Sequence, residues 1–413
     1  MSYFAIQLNK TMRLKTFILV ILLSTPFITP AQHTASEDSM LSGNKPATFL
    51  GGYGSFYYQR NGNEKKSNIN LERIVLFLGH RFNDKFSFFS EIEIEDAKIE
   101  GGEEGGELAF EQAYIKFNLS KNSYLAAGLF LPRIGILNEN HLPNTFNGNE
   151  RTRIERLLIP STWRELGIGY YTSFDAVPID LSFAIVNGLN SSAFEHGTGI
   201  RGGRYEGSNA TANNLAFTGA LNYSMNNFSF QVSAYAGGTV GFSNMVSDSL
   251  NLDSGPLGTP VILGEADVQY RNNGFGVKVL AATFSIPDAD KINMAFANNT
   301  PESAYGFYAE FAYDFLYSRQ KDSKKSFIGF LRYEMLDLNS SIPANGIIDP
   351  VLEQKHIIAG ISYLPIPNIA VKADVRLSAT GEENPALIIN PDPTAPPFNK
   401  ENTFINLGVG FSF

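Results

Sequence analysis

Three arginines crowd one short stretch, Glu150-Arg151-Thr152-Arg153-Ile154-Glu155-Arg156. Arg153 and Arg156 stand three apart and share a face if the segment turns as a helix. Guanidinium forks match carboxylate and phosphate oxygens, so such a cluster could attract an anion. It could equally be a charged surface loop neutralised by Glu150 and Glu155, and the two readings stand level. The other reactive residues converge less. Of five histidines, His33, His141 and His196 fall in a terminal segment or loops, and His80 and His356 at or near strand ends. No Ser, His and acid group comes together by spacing, although a barrel wall can carry such a triad in lipase-type enzymes. Glu100, Glu103, Glu104 and Glu107 lie among four glycines and could offer carboxylates to Ca²⁺, but the Asp/Asn spacing of a calcium loop is missing. There is no cysteine, hence no disulfide and no thiolate metal site. Phosphate-binding and dinucleotide fingerprints are also missing. No catalytic group, cofactor or metal is expected.

The elements that would position the arginines are strands. The final segment alternates without a break: Ile405, Leu407, Val409, Phe411 and Phe413 on one face, Asn406, Gly408, Gly410 and Ser412 on the other. Period-two segments bounded by Gly, Asn, Asp or Pro begin near Thr48, Ile69, Phe86, Leu108, Tyr124, Trp163, Ile179, Leu215, Phe228, Val261, Phe275, Tyr305, Phe327, His356, Ile369 and Thr403. The connections alternate in length. Asn83 to Lys85, Ser120 to Asn122, Asp175-Ala176, Met225-Asn226, Arg271 to Gly274 and Pro365 to Pro367 are short, with Tyr317 to Lys325 a longer member. Asn61 to Asn68, Lys98 to Glu107, Arg133 to Pro160, Leu189 to Asn213, Val240 to Thr259, Pro287 to Glu302, Asn339 to Gln354 and Thr380 to Asn402 are long. Sixteen strands joined in this way predict an all-β, transmembrane, antiparallel up-and-down barrel. Its short turns would face the periplasm and its long loops the exterior. A barrel of that size leaves an aqueous channel.

One face of many strands is apolar and aromatic while the other is charged. The charged positions are Glu265, Asp267, Lys278, Glu310, Asp314, Arg332, Glu334, Lys372, Asp374 and Arg376. A Lys or Arg turned to lipid at the midplane would cost about 2–4 kcal/mol, so these residues should face the lumen. Asp374 stands two residues from both Lys372 and Arg376, which predicts partial mutual neutralisation. The Arg151, Arg153 and Arg156 cluster, in a loop over such a pore, would then set the field at a constriction.

The N-terminal region agrees. Lys10, Arg13 and Lys15 precede the apolar run Thr16 to Leu23, and Ala31-Gln32 suits cleavage. This reads as a signal peptide over residues 1–31, with Met12 an alternative start. A periplasmic segment 32–46 and the barrel 47–413 would follow. Removing the signal takes away three basic residues and no acid, so the net charge of −9 becomes −12. That argues against nucleic acid as a partner. Aromatics make up 13%, with 33 Phe and 18 Tyr, as interface girdles require.

Several short motifs resemble the phosphate-selective porin O/P family of outer-membrane porins in its Bacteroidetes-like form. They are Leu71-Glu72-Arg73, Ala113-Tyr114-Ile115-Lys116, Gly128 to Gly135 (Gly-Leu-Phe-Leu-Pro-Arg-Ile-Gly), Glu150-Arg151, Trp163 to Gly167 (Trp-Arg-Glu-Leu-Gly) and Val186-Asn187-Gly188. The resemblance spans about residues 70 to 190. It implies a trimeric porin whose third long loop, here Arg133 to Pro160, folds into the lumen. It also implies clustered arginines at the constriction, a role open to Arg151, Arg153 and Arg156. The family's ladder of lysines is not reproduced, because the inward faces mix both signs.

The expectation is an outer-membrane channel of a Gram-negative bacterium for passive diffusion of small hydrophilic solutes, with anion preference as the finer reading. The alternatives are a non-conducting barrel for adhesion or binding, and a lipase-type barrel enzyme. Expected partners are outer-membrane lipid, the barrel-assembly machinery through the C-terminal strand, small solutes, and two further copies in a homotrimer.

Overall fold

The computed structural model describes residues 45–95, 107–317, 324–388 and 397–413. The signal segment, the acidic connection 96–106, and parts of the connections around 320 and 390 lie outside the described residues. Sixteen antiparallel strands close into a barrel, each paired with its neighbours in sequence. They are β1 (Ala47–Asn61), β2 (Lys66–Arg81), β3 (Phe86–Glu95), β4 (Glu107–Asn118), β5 (Ser123–Phe130), β6 (Glu165–Ser173), β7 (Ile179–Asn187) and β8 (Leu215–Met225). The second half comprises β9 (Phe228–Gly238), β10 (Pro260–Asn272), β11 (Phe275–Ser285), β12 (Ser303–Asp314), β13 (Ser326–Ser341), β14 (Glu353–Ile366), β15 (Ile369–Thr380) and β16 (Glu401–Ser412).

Closure leaves no strand edge, which lipid would penalise because it offers backbone groups no partners. β1 pairs with β16 from Tyr53↔Ser412 to Asn61↔Phe404. Gly52 and Phe413 exchange both backbone hydrogen bonds, 3.0 and 2.8 Å, beyond the ladder's end. The alternation of β16 is realised: Leu407 is 49% exposed on the outer face and Asn406 is fully buried on the inner one. Large apolar side chains stand exposed on every strand except β5, forming the belt that lipid covers.

Two strand ends differ from the sequence expectation. The connection expected over Asn61 to Asn68 shrinks to residues 62–65, because Lys66 to Asn68 continue the ladder opposite Gln59 to Asn61. β6 begins at Glu165; Trp163 belongs to the preceding loop, fully buried.

Of four register shifts in the ladders, two leave an acidic residue extra. In β2, Ser55 pairs with Arg73 but Phe56 with Leu71, so Glu72 is an extra residue. In β4, Glu91 of β3 pairs with Gln112 but Ile92 with Phe110, leaving Glu111 extra. On β4 the exposed apolar set changes phase across this point, from Leu108 and Phe110 to Ile115. A bulge re-aims a side chain. Here Glu111 turns into the lumen and is wholly buried.

Replacing Leu407 with Arg should cost about 2–4 kcal/mol of stability. Denaturant unfolding of protein refolded into lipid vesicles measures this, and an unchanged midpoint would contradict the outward placement.

Candidate functional site

The segment 131–164, between β5 and β6, folds into the barrel and is called loop 3 below. Its apolar side chains explain the descent. Ile134, Ile136, Ile154, Leu158, Ile159 and Trp163 are buried in one cluster with Leu189, Phe194 and Ile200 of the next long loop. Val240, Leu252, Ile286 and Ile292 of later loops join it, as do inward residues such as Tyr235, Leu263 and Tyr308. Burying an aliphatic side chain contributes about 1.5–3 kcal/mol, so the cluster holds loop 3 inside. The Trp163 ring lies 4.6 Å from that of Tyr235.

An irregular segment removed from water must satisfy its backbone groups. Glu155 does this from within. Its carboxylate accepts from the amides of Ile136 (2.7 Å) and Leu137 (2.5 Å), from Tyr308 Oη (2.9 Å) and from Thr152 Oγ1 (3.2 Å). Burial pushes the Glu155 pKa up, against the lowering effect of these bonds. Asn138 ties the two ends of the loop together, donating to Pro132 O at 2.6 Å and accepting from the Trp163 amide at 2.7 Å.

The charged wall positions do the rest. Lys372 Nζ donates to the carbonyls of Phe146 and Gly148, both at 2.8 Å. Asp374 accepts from the Asn149 amide at 2.8 Å and from Asn406 at 2.7 Å. Arg332 binds Glu310 at 2.6 Å and donates to Asn147 O at 2.7 Å. Glu310 also accepts from Asn147, and Glu334 from the Arg153 amide at 2.6 Å. Glu265 accepts from Ser233 and, at 3.4 Å, from the Gly135 amide. Asp267 sits beside it, buried, with one oxygen unpartnered. Lys278 stands opposite Glu310 in register. Asp314 ends β12 and holds the turn by accepting from the Leu316 and Phe327 amides, both at 3.0 Å. The mutual neutralisation expected of Lys372, Asp374 and Arg376 is not how they pair: Lys372 and Asp374 bind loop 3 backbone, and Arg376 binds Glu150 at 2.8 Å.

Glycines on β16 make room for this contact. A Cβ on Gly410 would lie 2.5 Å from Pro143 Cβ, and one on Gly408 would lie 2.3 Å from Asn149 Oδ1.

The arginine cluster is less neutralised than its sequence suggested. Glu150 is committed to Arg376 and Asn406, and Glu155 to loop amides. Among the described residues, Arg151, Arg153 and Arg156 have no carboxylate within 4 Å, and neither does Arg201 of the next long loop. Arg201 reaches over to donate to the Arg156 and Ser161 carbonyls, both at 3.2 Å. Burial, then Arg376 and Arg156, depress the Arg153 pKa to about 10, which leaves it cationic at neutral pH. Arg201 is lowered to about 10 as well, by burial and then by Arg204 and Arg156. Arg151 Nη2 and Arg153 Nε are buried donors with no acceptor. Sequence reasoning missed Arg201, which lies 45 residues from Arg156 and joins it only through packing of the loops.

The histidines are dispersed. His33 lies outside the described residues. His80 meets Thr48, His196 meets Asp349, and Ser378 Oγ lies 2.7 Å from His356 Nδ1. The other nitrogen of His356 faces Gln354 at 3.3 Å instead of a carboxylate. His141 sits on loop 3 between Glu91 and Glu111.

No family model matches the chain. It is 36% identical over 344 residues to a protein of Aquifex aeolicus described as uncharacterized, covering 80% of this chain and 75% of the relative. Among solved structures it is similar to the anion-selective porin from Comamonas acidovorans (TM-score 0.52, 9% identity, 89% of this chain and 100% of that one). It is also similar to Salmonella typhi OmpF in complex with daunomycin (0.51, 12%, 90% and 98%) and to the trimer form of OmpT from Vibrio cholerae (0.50, 11%, 90% and 100%). At these identities the likeness shows the fold, that of the outer-membrane porin barrels.

Glu155→Ala leaves two buried amides and the Tyr308 hydroxyl without acceptors and should cost about 3 kcal/mol. Loop 3 should also become cleavable by protease in the folded barrel. Equal stability and equal resistance would show that Glu155 does not hold the loop.

Proposed function

We propose a function for a chain that belongs to the same family as the uncharacterized Aquifex aeolicus protein: a diffusion channel of the outer membrane, narrowed by loop 3 and preferring small anions. The barrel type and its apolar belt support an outer-membrane channel. The observation that carries the anion preference is the set of guanidiniums without ion-pair partners: Arg151, Arg153 and Arg156 along loop 3, and Arg201, which meets Arg156 where the next long loop packs on it. Unpaired fixed charge raises the local concentration of the opposite ion. Buried donors with no acceptor add a directional contact that a carboxylate or phosphate oxygen could take. The mixed signs along the wall do not oppose this, because Glu310, Arg332, Glu334, Lys372, Asp374 and Arg376 are spent on loop 3 and on one another. The finer kinship with phosphate-selective porins rests on the short motifs between residues 70 and 190, and the homotrimer on the same resemblance.

The second reading is a barrel that binds without conducting. It draws on the filling of the lumen: Arg73, Glu91, Glu93, Glu265, Asp267, Glu310, Arg332, Glu334, Lys372, Asp374 and Arg376 are buried.

Purified protein in planar bilayers should give stepwise ohmic conductance. In a salt gradient, replacing Arg151, Arg153 and Arg156 together with Ala should move the reversal potential toward the cation side. Unchanged potentials would remove these arginines from the solute path, and bilayers silent over many reconstitutions would decide for the non-conducting barrel.

A further inference from the structure

We propose that Glu91, Glu111 and His141 form a binding site for one divalent transition-metal ion, which pins loop 3 to the wall of β3 and β4. One ligand atom from each residue lies within 4.8 Å of the others. His141 Nε2 is 3.6 Å from Glu111 Oε2 and 3.7 Å from Glu91 Oε2. Zinc bound to imidazole and carboxylate at about 2.0–2.2 Å sets tetrahedral ligands about 3.4 Å apart, close to the two distances from His141.

Three independent features prepare the site. Glu91 is 5%, Glu111 0% and His141 2% exposed, yet Glu91 Oε2, Glu111 Oε1 and His141 Nε2 have no hydrogen-bond partner. Buried polar atoms of a folded protein are normally satisfied, so two orphans that face each other, Glu91 Oε2 and His141 Nε2, and a third on the adjoining Glu111 carboxylate ask for a ligand. The supporting contacts suit a metal too. His141 Nδ1 lies 3.0 Å from Asn138 O, which fixes the tautomer with Nδ1–H donating and the Nε2 lone pair facing the carboxylates. Tyr53 Oη donates to Glu111 Oε2 at 2.6 Å and orients that carboxylate. Finally, Glu111 is the extra residue of the β4 bulge, set between Phe110, which pairs with Ile92, and Gln112, which pairs with Glu91.

The donor set selects the ion. One imidazole and two carboxylates suit Zn²⁺, Fe²⁺, Mn²⁺ or Co²⁺, whereas Ca²⁺ and Mg²⁺ take oxygen ligands. Of the nearby cations, Arg73 is already engaged by Glu72, Glu93 and Glu95 at 3.0 to 3.6 Å. Arg151 of loop 3 also faces Glu111. A protonated His141 bridging the two carboxylates is the competing arrangement, and it takes up no metal.

The test uses the full chain refolded in detergent, stripped with chelator and titrated with Zn²⁺, then with Co²⁺ to read its visible d–d absorption. The wild-type barrel should bind one more ion per chain than His141→Ala. Tyr53→Phe should weaken that binding about 10-fold, as loss of an orienting partner does. His141→Cys should bind again, with the thiolate's own charge-transfer absorption on Co²⁺. Folding of each variant is read separately from its heat-modifiable mobility. Equal uptake by folded wild-type and His141→Ala barrels overturns the proposal, and so does an invisible Co²⁺ spectrum in both the wild type and His141→Cys.

Discussion

The structure depends on the cost of burying an irregular backbone. Loop 3 leaves the ladder of strands and enters a space closed by them, where it cannot form a sheet of its own. Each amide and carbonyl it carries inward must find a partner there or cost about 1–3 kcal/mol. The wall supplies these partners from side chains: Lys372 and Arg332 to carbonyls, Asp374, Glu334 and Glu265 to amides. Much of the charge on the inner face is thus explained by loop 3 before any solute is considered. What stays outside the ion pairs is a small set: the guanidiniums of Arg151, Arg153 and Arg156 on loop 3, and that of Arg201, which bonds to the Arg156 and Ser161 carbonyls.

The interior is divided. Toward β7 to β13 the long loops close over an apolar cluster built around Trp163, Tyr235 and Phe284. Toward β1 to β4 and β12 to β16 the contacts are ionic and amidic. Loop 3 bridges the two, anchored by apolar packing on one side and by hydrogen bonds on the other. Loop 3 thus partitions the interior, with Arg151, Arg153 and Arg156 on the partition itself.

The barrel was legible in the sequence because its signal is redundant: period-two alternation repeats on strand after strand, and an error in one does not disturb the rest. The limits of that signal are local. Lys66 to Asn68 extend β2 with polar residues on both faces, so nothing marked them as strand. The bulges at Glu72 and Glu111 carry no Gly or Pro, and only the change of apolar phase, Phe110 against Ile115, betrays the second. The direction of the wall charges was readable from the cost of turning them to lipid, but their partners were not. Asp374 and Asn149 meet across 225 residues, through a loop whose path is set by packing. His141 is a loop histidine as expected, but its place between Glu91 and Glu111 was hidden for the same reason.

That long reach also orders events in assembly. Loop 3 lies between β5 and β6, yet Pro143 leans on Gly410, Asn144 bonds to Ser412, and Phe146 to Glu150 depend on β15 and β16. While the last strands are unpaired, the partition has no floor, and its buried groups remain in water. Loop 3 can settle fully only where β15 and β16 are already in place, and contacts of such long sequence separation are the kind that slow folding. A nascent barrel held open at that seam would be an unpartitioned one.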